Sequence, residues 1–338
     1  MSLIALINPA RGFLAMSAIL AGYCLIRFYA YTSGNFLVLP YLLAAGALLG
    51  MADAGWRQVF QIAADADDND VQTPTRGMLS TTAGYFVAVF TTLAGLMCAM
   101  TAGYNAFRTA GVFLLLSLAR SALFRRTEIV SPLLGGLAWG VLFLIGMTAY
   151  PSFLEMLFIR ETYLPVAFFT VYMVVACVLS QVCTSARPRE TPDVEELASE
   201  TASRLLEMRG DAIDGPVAWF AGGALALMPL ALAWVMPWPW RWPSWGILAF
   251  LSLSIIAKLI PVLAYRTARD LEKFTDSVFR GSVLLSAGAV AGFGLYTMKE
   301  IYDGWGIPIP GREELAAMII IILLGGPAWI LRRQAPVE

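Results

Sequence analysis

The chain has 338 residues, 59% of them hydrophobic and 14% charged, with a net charge of −1 and a mean hydropathy of +0.70. A soluble domain is about 45–50% apolar and about 25% charged, so this much apolar surface exceeds what a water-soluble core of this size hides. The sequence holds no histidine, which removes Ser-His and Cys-His catalysis, His-ligated metals and haem, and no basic tract points to nucleic acid.

The apolar runs are long and continuous, as in membrane-spanning helices, and lack the short alternating pattern of a β-barrel. The predicted fold is an all-α polytopic membrane bundle of nine or ten transmembrane helices, read as a single integral membrane domain over residues 1–338. The expected spans are 12–31, 36–56, 80–101, 106–124, 131–150, 162–184, 216–237, 244–265, 278–298 and 314–331. Pro40 interrupts the second span, which continues as a helix past Trp56 towards Ala64, and the fourth starts near Arg108. Asn8-Pro9-Ala10-Arg11 precedes the first span without a cleavable signal pattern, so that span is read as retained.

With ten spans, most Lys and Arg residues gather on the N-terminal side, Arg11, Arg57, Arg76, Arg120, Arg125 and Arg126 among them. Arg27, Arg108, Arg160, Arg241, Lys299 and Arg312 fall on the other side. The bias predicts cytoplasmic N- and C-termini in a bacterial inner membrane. The loop 185–214, with Leu197, Ala198, Leu205 and Met208 on one stripe, is predicted to hold a short amphipathic helix on the cytoplasmic side. Trp234, Trp238, Trp240, Trp242 and Trp245 mark an interfacial turn on the outer face. Cys24, Cys98, Cys177 and Cys183 sit in or at the end of apolar spans without a CxxC pair, so they read as small buried hydrophobes.

Asp65, Asp67, Asp68 and Asp70 crowd into six residues after the second span. Carboxylates are costly near lipid, and on a helix Gln61, Asp65 and Asn69 or Asp68 recur on one face. That face either meets water or is neutralised by a cation. Its hard oxygen donors suit Mg²⁺, which completes its shell with water and phosphate oxygens. The EF-hand pattern is absent, and Arg76 follows the cluster while Arg125-Arg126 lies at the same membrane face. Carboxylates with arginines form the constellation for a magnesium-bound diphosphate. The residues alone fit a solvated acidic loop and a phosphate–metal site equally well.

The stretch resembles the first aspartate-rich motif of the UbiA superfamily of intramembrane prenyltransferases, N-D-x-x-D-x-x-x-D followed by P-x-R-P and S-G-x-(I/L)-S. Anchored on Pro74-Thr75-Arg76, the Asn position falls on Gln61, the central Asp on Asp65 and the last Asp on Asn69, with Asp68 and Asp70 flanking. Arg76 matches the family's Arg, Gly77 replaces its Pro, and Leu79-Ser80 stands at its L-S. Ser121-Ala-Leu-Phe-Arg125-Arg126-Thr127, then Gly135-Gly136, Gly140 and Gly146, resembles the family's Y-x-x-x-K-R-x-T and the glycines after it. The segment from Val278 to Gly292 is similar to a late helix in the UbiA-like proteins of bacterial ebo-type operons.

The resemblance implies Mg²⁺ as cofactor, held by Gln61, Asp65, Asp68 and Asn69. It implies catalytic roles for Asp65, Asp68 and Arg76, and diphosphate binding by Arg76, Arg125 and Arg126. The implied reactants are a prenyl diphosphate and a lipophilic acceptor within membrane lipid. The family's second motif, D-x-x-x-D, has no counterpart in the 185–214 loop, where Asp193, Glu196 and Glu200 share a face at another spacing, so one metal site is expected. Two other readings remain: a relative with the same fold and eroded motifs that binds or moves a lipidic compound, and an unrelated transporter with broken helices in two halves. Lys258, inside the eighth span, is either a functional cation or a residue that snorkels to the membrane edge. Glu155, Arg160 and Glu161 read as a solvated outer loop, and the Gly136/Gly140 and Gly288/Gly292 spacings as close helix packing.

Overall fold

The structure is a computed structural model and describes residues 9–30, 37–68, 74–123, 130–185, 215–235, 241–265, 268–305 and 316–325. The loop predicted at 185–214 lies, beyond Ser185, outside the described residues. All regular structure among the described residues is helical. The helices are α1 (Pro9–Ala30), α2 (Val38–Asp68), α3 (Pro74–Ala102), α4 (Tyr104–Leu123) and α5 (Val130–Met147). A short α6 (Phe153–Met156) precedes α7 (Arg160–Ser185), α8 (Gly215–Val235), α9 (Arg241–Tyr265) and α10 (Ala268–Trp305). A further apolar helix, α11, spans Ala316–Gly325.

Seven stretches among the described residues are long and apolar enough to cross a membrane: Pro9–Tyr29, Val38–Phe60, Thr82–Ala102, Tyr104–Leu123, Val130–Met147, Arg160–Gln181 and Ser244–Leu263. They correspond to the first six expected spans and the eighth. The three remaining expected spans fall on α8, α10 and α11. On α8 and α11 the apolar stretches are shorter, Trp219–Val235 and Ala316–Gly325. Seven is thus the number that meets the length and hydropathy of a crossing helix among the described residues, and a count of nine or ten is not confirmed.

Prolines set several helix starts. Pro9 and Pro74 open α1 and α3, where a missing N–H costs nothing. Pro40 stands in the first turn of α2 and does not interrupt it, so α2 runs unbroken for 31 residues. Pro261 lies inside α9, so the two prolines do not mark matching breaks in two halves of a transporter. Gly103 alone joins α3 to α4, with φ at +150°, a conformation that disfavours any side chain. That single-residue corner lets α4 begin at Tyr104, with the Arg108 guanidinium 5.5 Å from the Tyr104 ring centre.

α1 is the axis of the bundle. In its membrane stretch 83% of residues are buried, against 28% for α3, and it packs on α2, α5 and α10. The chain closes around it as a sequence of neighbours, α2 on α3, α4 on α5, α5 on α7, α8 on α9, and α9 on α10. Phe86, Phe90, Leu93 and Met97 of α3 face outward, as expected of a helix against lipid. Glycines mark close helix contacts: a Cβ on Gly136 would lie 2.3 Å from the Val174 Cα, and one on Gly140 would lie 2.3 Å from the Thr170 side-chain Oγ1. Tight approach of small residues drives association where lipid removes the hydrophobic force. Trp245, on α9, donates from Nε1 to the Ala233 carbonyl at 3.0 Å, and Trp234 is exposed, while Trp238 and Trp240 of the expected interfacial turn lie outside the described residues.

Lys258 is exposed on α9, and its Nζ donates to Ser277 Oγ on α10 at 2.6 Å. This position near the end of the span fits snorkelling. Lys258→Met is expected to leave the unfolding midpoint in detergent unchanged within about 0.5 kcal/mol, as for most exposed substitutions. A larger loss in a thermal unfolding series would show that the Lys258–Ser277 bond holds α9 to α10. Glu155, Arg160 and Glu161 are all exposed around α6 and the start of α7, in keeping with a solvated loop.

Candidate functional site

The acidic end of α2 is helical. Gln61, Asp65 and Asp68 lie on its last turns, so positions 61, 65 and 68 follow at one-turn intervals along one side of the backbone. Arg76 lies in the first turn of α3. The structure describes these positions through their backbone alone. Asn69, Arg125 and Arg126 lie outside the described residues.

Topology carries the acidic end of α2 and the C-terminal end of α4 towards the same end of the bundle. Trp56, on α2, donates to Thr92 Oγ1 on α3 at 3.0 Å, and Gly55 faces Ala88 while Leu49 faces Gly95, so the pair runs antiparallel. α2 and α4 run parallel: Asp53 meets Ser117, and one turn further on Arg57 lies within electrostatic range of Arg120. α4 ends at Leu123. α2 extends beyond this level, and about 18 Å of helix separates Asp53 from Asp65 at 1.5 Å per residue.

Below the acidic end lies an ionic cluster that sequence reasoning missed. Asp53 is 2% exposed inside the second membrane stretch. Its Oδ2 accepts from Arg11 Nη1 of α1 at 2.5 Å, and its Oδ1 accepts from Ser117 Oγ of α4 at 2.6 Å. Arg57 and Arg120 also act on it electrostatically. Arg120 is 3% exposed, and its backbone carbonyl accepts from Ser131 Oγ of α5 at 3.1 Å. One carboxylate thus organises guanidinium groups from α1, α2 and α4, with α5 closing the fourth side.

The missed signal was present. Asp53 and Arg57 are spaced i, i+4 in an otherwise apolar run, and an ionisable residue within a span is a functional candidate by default. Sequence reasoning counted Arg11, Arg57 and Arg120 as membrane-edge cations and passed over Asp53. Helix packing, which spacing does not reveal, joins them.

In fold, the chain is similar to a solved structure of a digeranylgeranylglyceryl phosphate synthase, described as working in membranes. The likeness covers 86% of this chain and 97% of that one, with a TM-score of 0.50 and 12% sequence identity. At this identity the likeness is one of fold. No protein-family model and no curated protein matches the sequence.

Proposed function

We propose that the chain is an intramembrane prenyltransferase of the UbiA type, which moves an isoprenyl group from a prenyl diphosphate to a lipophilic acceptor with Mg²⁺. The observation that carries this reading is a fold similar to a prenyl-transferring synthase, with an acidic, Arg-flanked helix end at α2 and α3. The donor set fits the metal. Gln61, Asp65 and Asp68 offer hard oxygens at one-turn intervals, and Asn69 follows directly. Bound there, Mg²⁺ would neutralise the charge on a departing diphosphate.

In this reading Asp65 and Asp68 hold the metal, and Arg76, Arg125 and Arg126 bind diphosphate oxygens. The C1–O bond of the donor breaks and diphosphate leaves with the electron pair. The acceptor nucleophile bonds to C1 and gives up its proton, while apolar helices keep water from the allylic centre. The site serves a cytoplasmic pool of diphosphate if the termini lie in the cytoplasm of a bacterial cell, as the Lys and Arg bias predicts.

The test is diphosphate release from farnesyl or geranylgeranyl diphosphate with magnesium, in protein reconstituted with lipid extract as the acceptor source. Asp65→Ala is expected to lower the rate about 10²–10³-fold, the usual effect of removing one element of charge stabilisation from a transition state. Chelation of magnesium should do the same. A parent protein that turns over no prenyl donor would point instead to the lipid-binding relative. That alternative is favoured by Gln61 and Asn69 at the family's Asn and Asp positions.

A further inference from the structure

We infer that Arg120 is the receptor of a bound oxyanion, a phosphoryl headgroup seated among α2, α4 and α5 within the membrane-spanning part of the bundle. The inference is independent of prenyl transfer and concerns the level of Arg57, about 12 Å along α2 from Asp65.

Arg120 stands on the last turn of α4, 3% exposed. Its Nε and Nη1 are buried, and neither has a hydrogen-bond acceptor among the described residues. Asp53 does not supply one. Its Oδ2 accepts from Arg11 and its Oδ1 from Ser117, and although it attracts Arg120 electrostatically it accepts no hydrogen bond from Arg120 Nε or Nη1. Leaving charged donors unmet in a low-dielectric interior is among the costliest arrangements a fold can hold.

The surroundings are built to keep the guanidinium in place. A Cβ on Gly135 would lie 2.5 Å from the Arg120 Cζ, 2.6 Å from Nε and 2.8 Å from Nη1, so only glycine leaves room for the group. Ser131 holds the Arg120 carbonyl, and Ser121 Oγ donates to the Ser117 carbonyl at 2.9 Å, fixing the same turn of α4. Arg57 adds positive potential beside it. A guanidinium so placed recognises oxyanions through charge-assisted hydrogen bonds, and phosphoryl oxygens offer several acceptors to a donor set that points in more than one direction. The oxyanion is either free diphosphate or the headgroup of an anionic phospholipid.

The two sources separate in one experiment on the full-length protein in nonionic detergent with EDTA. Radiolabelled inorganic pyrophosphate is offered by equilibrium dialysis. Phosphatidylglycerol is offered from mixed micelles with phosphatidylcholine and counted by native mass spectrometry. One of the two is expected to bind the parent at one per chain, and Arg120→Gln should weaken it about 10–100-fold, the worth of one or two charge-assisted hydrogen bonds. Gly135→Ala, which displaces the guanidinium and keeps its charge, should also weaken binding, and it decides the matter if Arg120→Gln does not fold. Pyrophosphate binding identifies a soluble diphosphate, and phosphatidylglycerol retention identifies a lipid headgroup. No binding of either to the parent overturns the inference, as does binding that Arg120→Gln or Gly135→Ala leaves unchanged. Asp65→Ala should bind like the parent, so failure here and failure of the transfer reading are distinguishable.

Discussion

Asp53→Ala should destabilise the bundle by about 3–5 kcal/mol, the cost of breaking a buried ion pair and leaving its cationic partner uncompensated. The carboxylate is 2% exposed, and its two oxygens accept from Arg11 on α1 and Ser117 on α4, with Arg57 and Arg120 close by. Ordinary interhelical hydrogen bonds in membranes average only about 0.6 kcal/mol, because separated helices find other partners in the bilayer. A buried guanidinium has no such partner in hydrocarbon, so the charge term decides. Ser117→Ala should therefore cost much less, about 1 kcal/mol, since Asp53 keeps Arg11. Asp53→Asn should fall between the two, because the amide oxygen still accepts from Ser117 while the charge is gone. Unfolding midpoints in detergent, followed by circular dichroism across the three variants, check this order. An Asp53→Ala protein within 1 kcal/mol of the parent would show that the cluster does not hold the helices together.

Gly146→Ala is expected to reach or exceed the upper end of the roughly 1–3 kcal/mol that overpacking costs. A Cβ there would lie 1.9 Å from the Ile19 carbonyl oxygen and 2.7 Å from the Tyr23 amide nitrogen. From the other side, a Cβ on Gly22 would lie 2.0 Å from the Phe143 carbonyl oxygen. These neighbours are backbone atoms and cannot swing aside as a side-chain tip can, so α1 and α5 must separate. Separation at this crossing opens the axis of the bundle, and in lipid only close packing opposes it. Gly223→Ala is the matched control. Nothing lies within 4 Å of its added Cβ, and alanine in a helix is favoured over glycine by up to about 1 kcal/mol. The same unfolding series should show Gly223→Ala equal to or above the parent and Gly146→Ala well below it. Equal midpoints would mean that α1 and α5 do not meet as closely as described.

Much of the fold was legible in the residues because helix formation in a membrane is a local matter. Without water, each apolar run of sufficient length must satisfy its own backbone, so composition and length locate helices before any packing is known. Where local chemistry was ambiguous the reading slipped. Pro40 looked like an interruption, yet its place in the first turn of α2 makes it harmless. Arg108 looked like the edge of the fourth span, yet α4 begins four residues earlier because Gly103 turns the corner alone. The acidic end of α2 was legible for the same local reason: four aspartates in six residues stand out in any apolar chain. The ionic cluster was not. Asp53, Arg11 and Arg120 are far apart in sequence, and each alone resembles a residue at a membrane edge.

The amino-acid sequence by itself determined that this protein is helical and lives in a membrane, and it marked the carboxylate-rich end of α2, since these follow from hydropathy and spacing along one segment. Only the tertiary structure decided that Asp53 is enclosed by α1, α2 and α4, that Arg120 is lodged against Gly135, and that α1 is the axis. Burial of a charge depends on which helices lie beside it, and that is settled by contacts between residues distant in the chain.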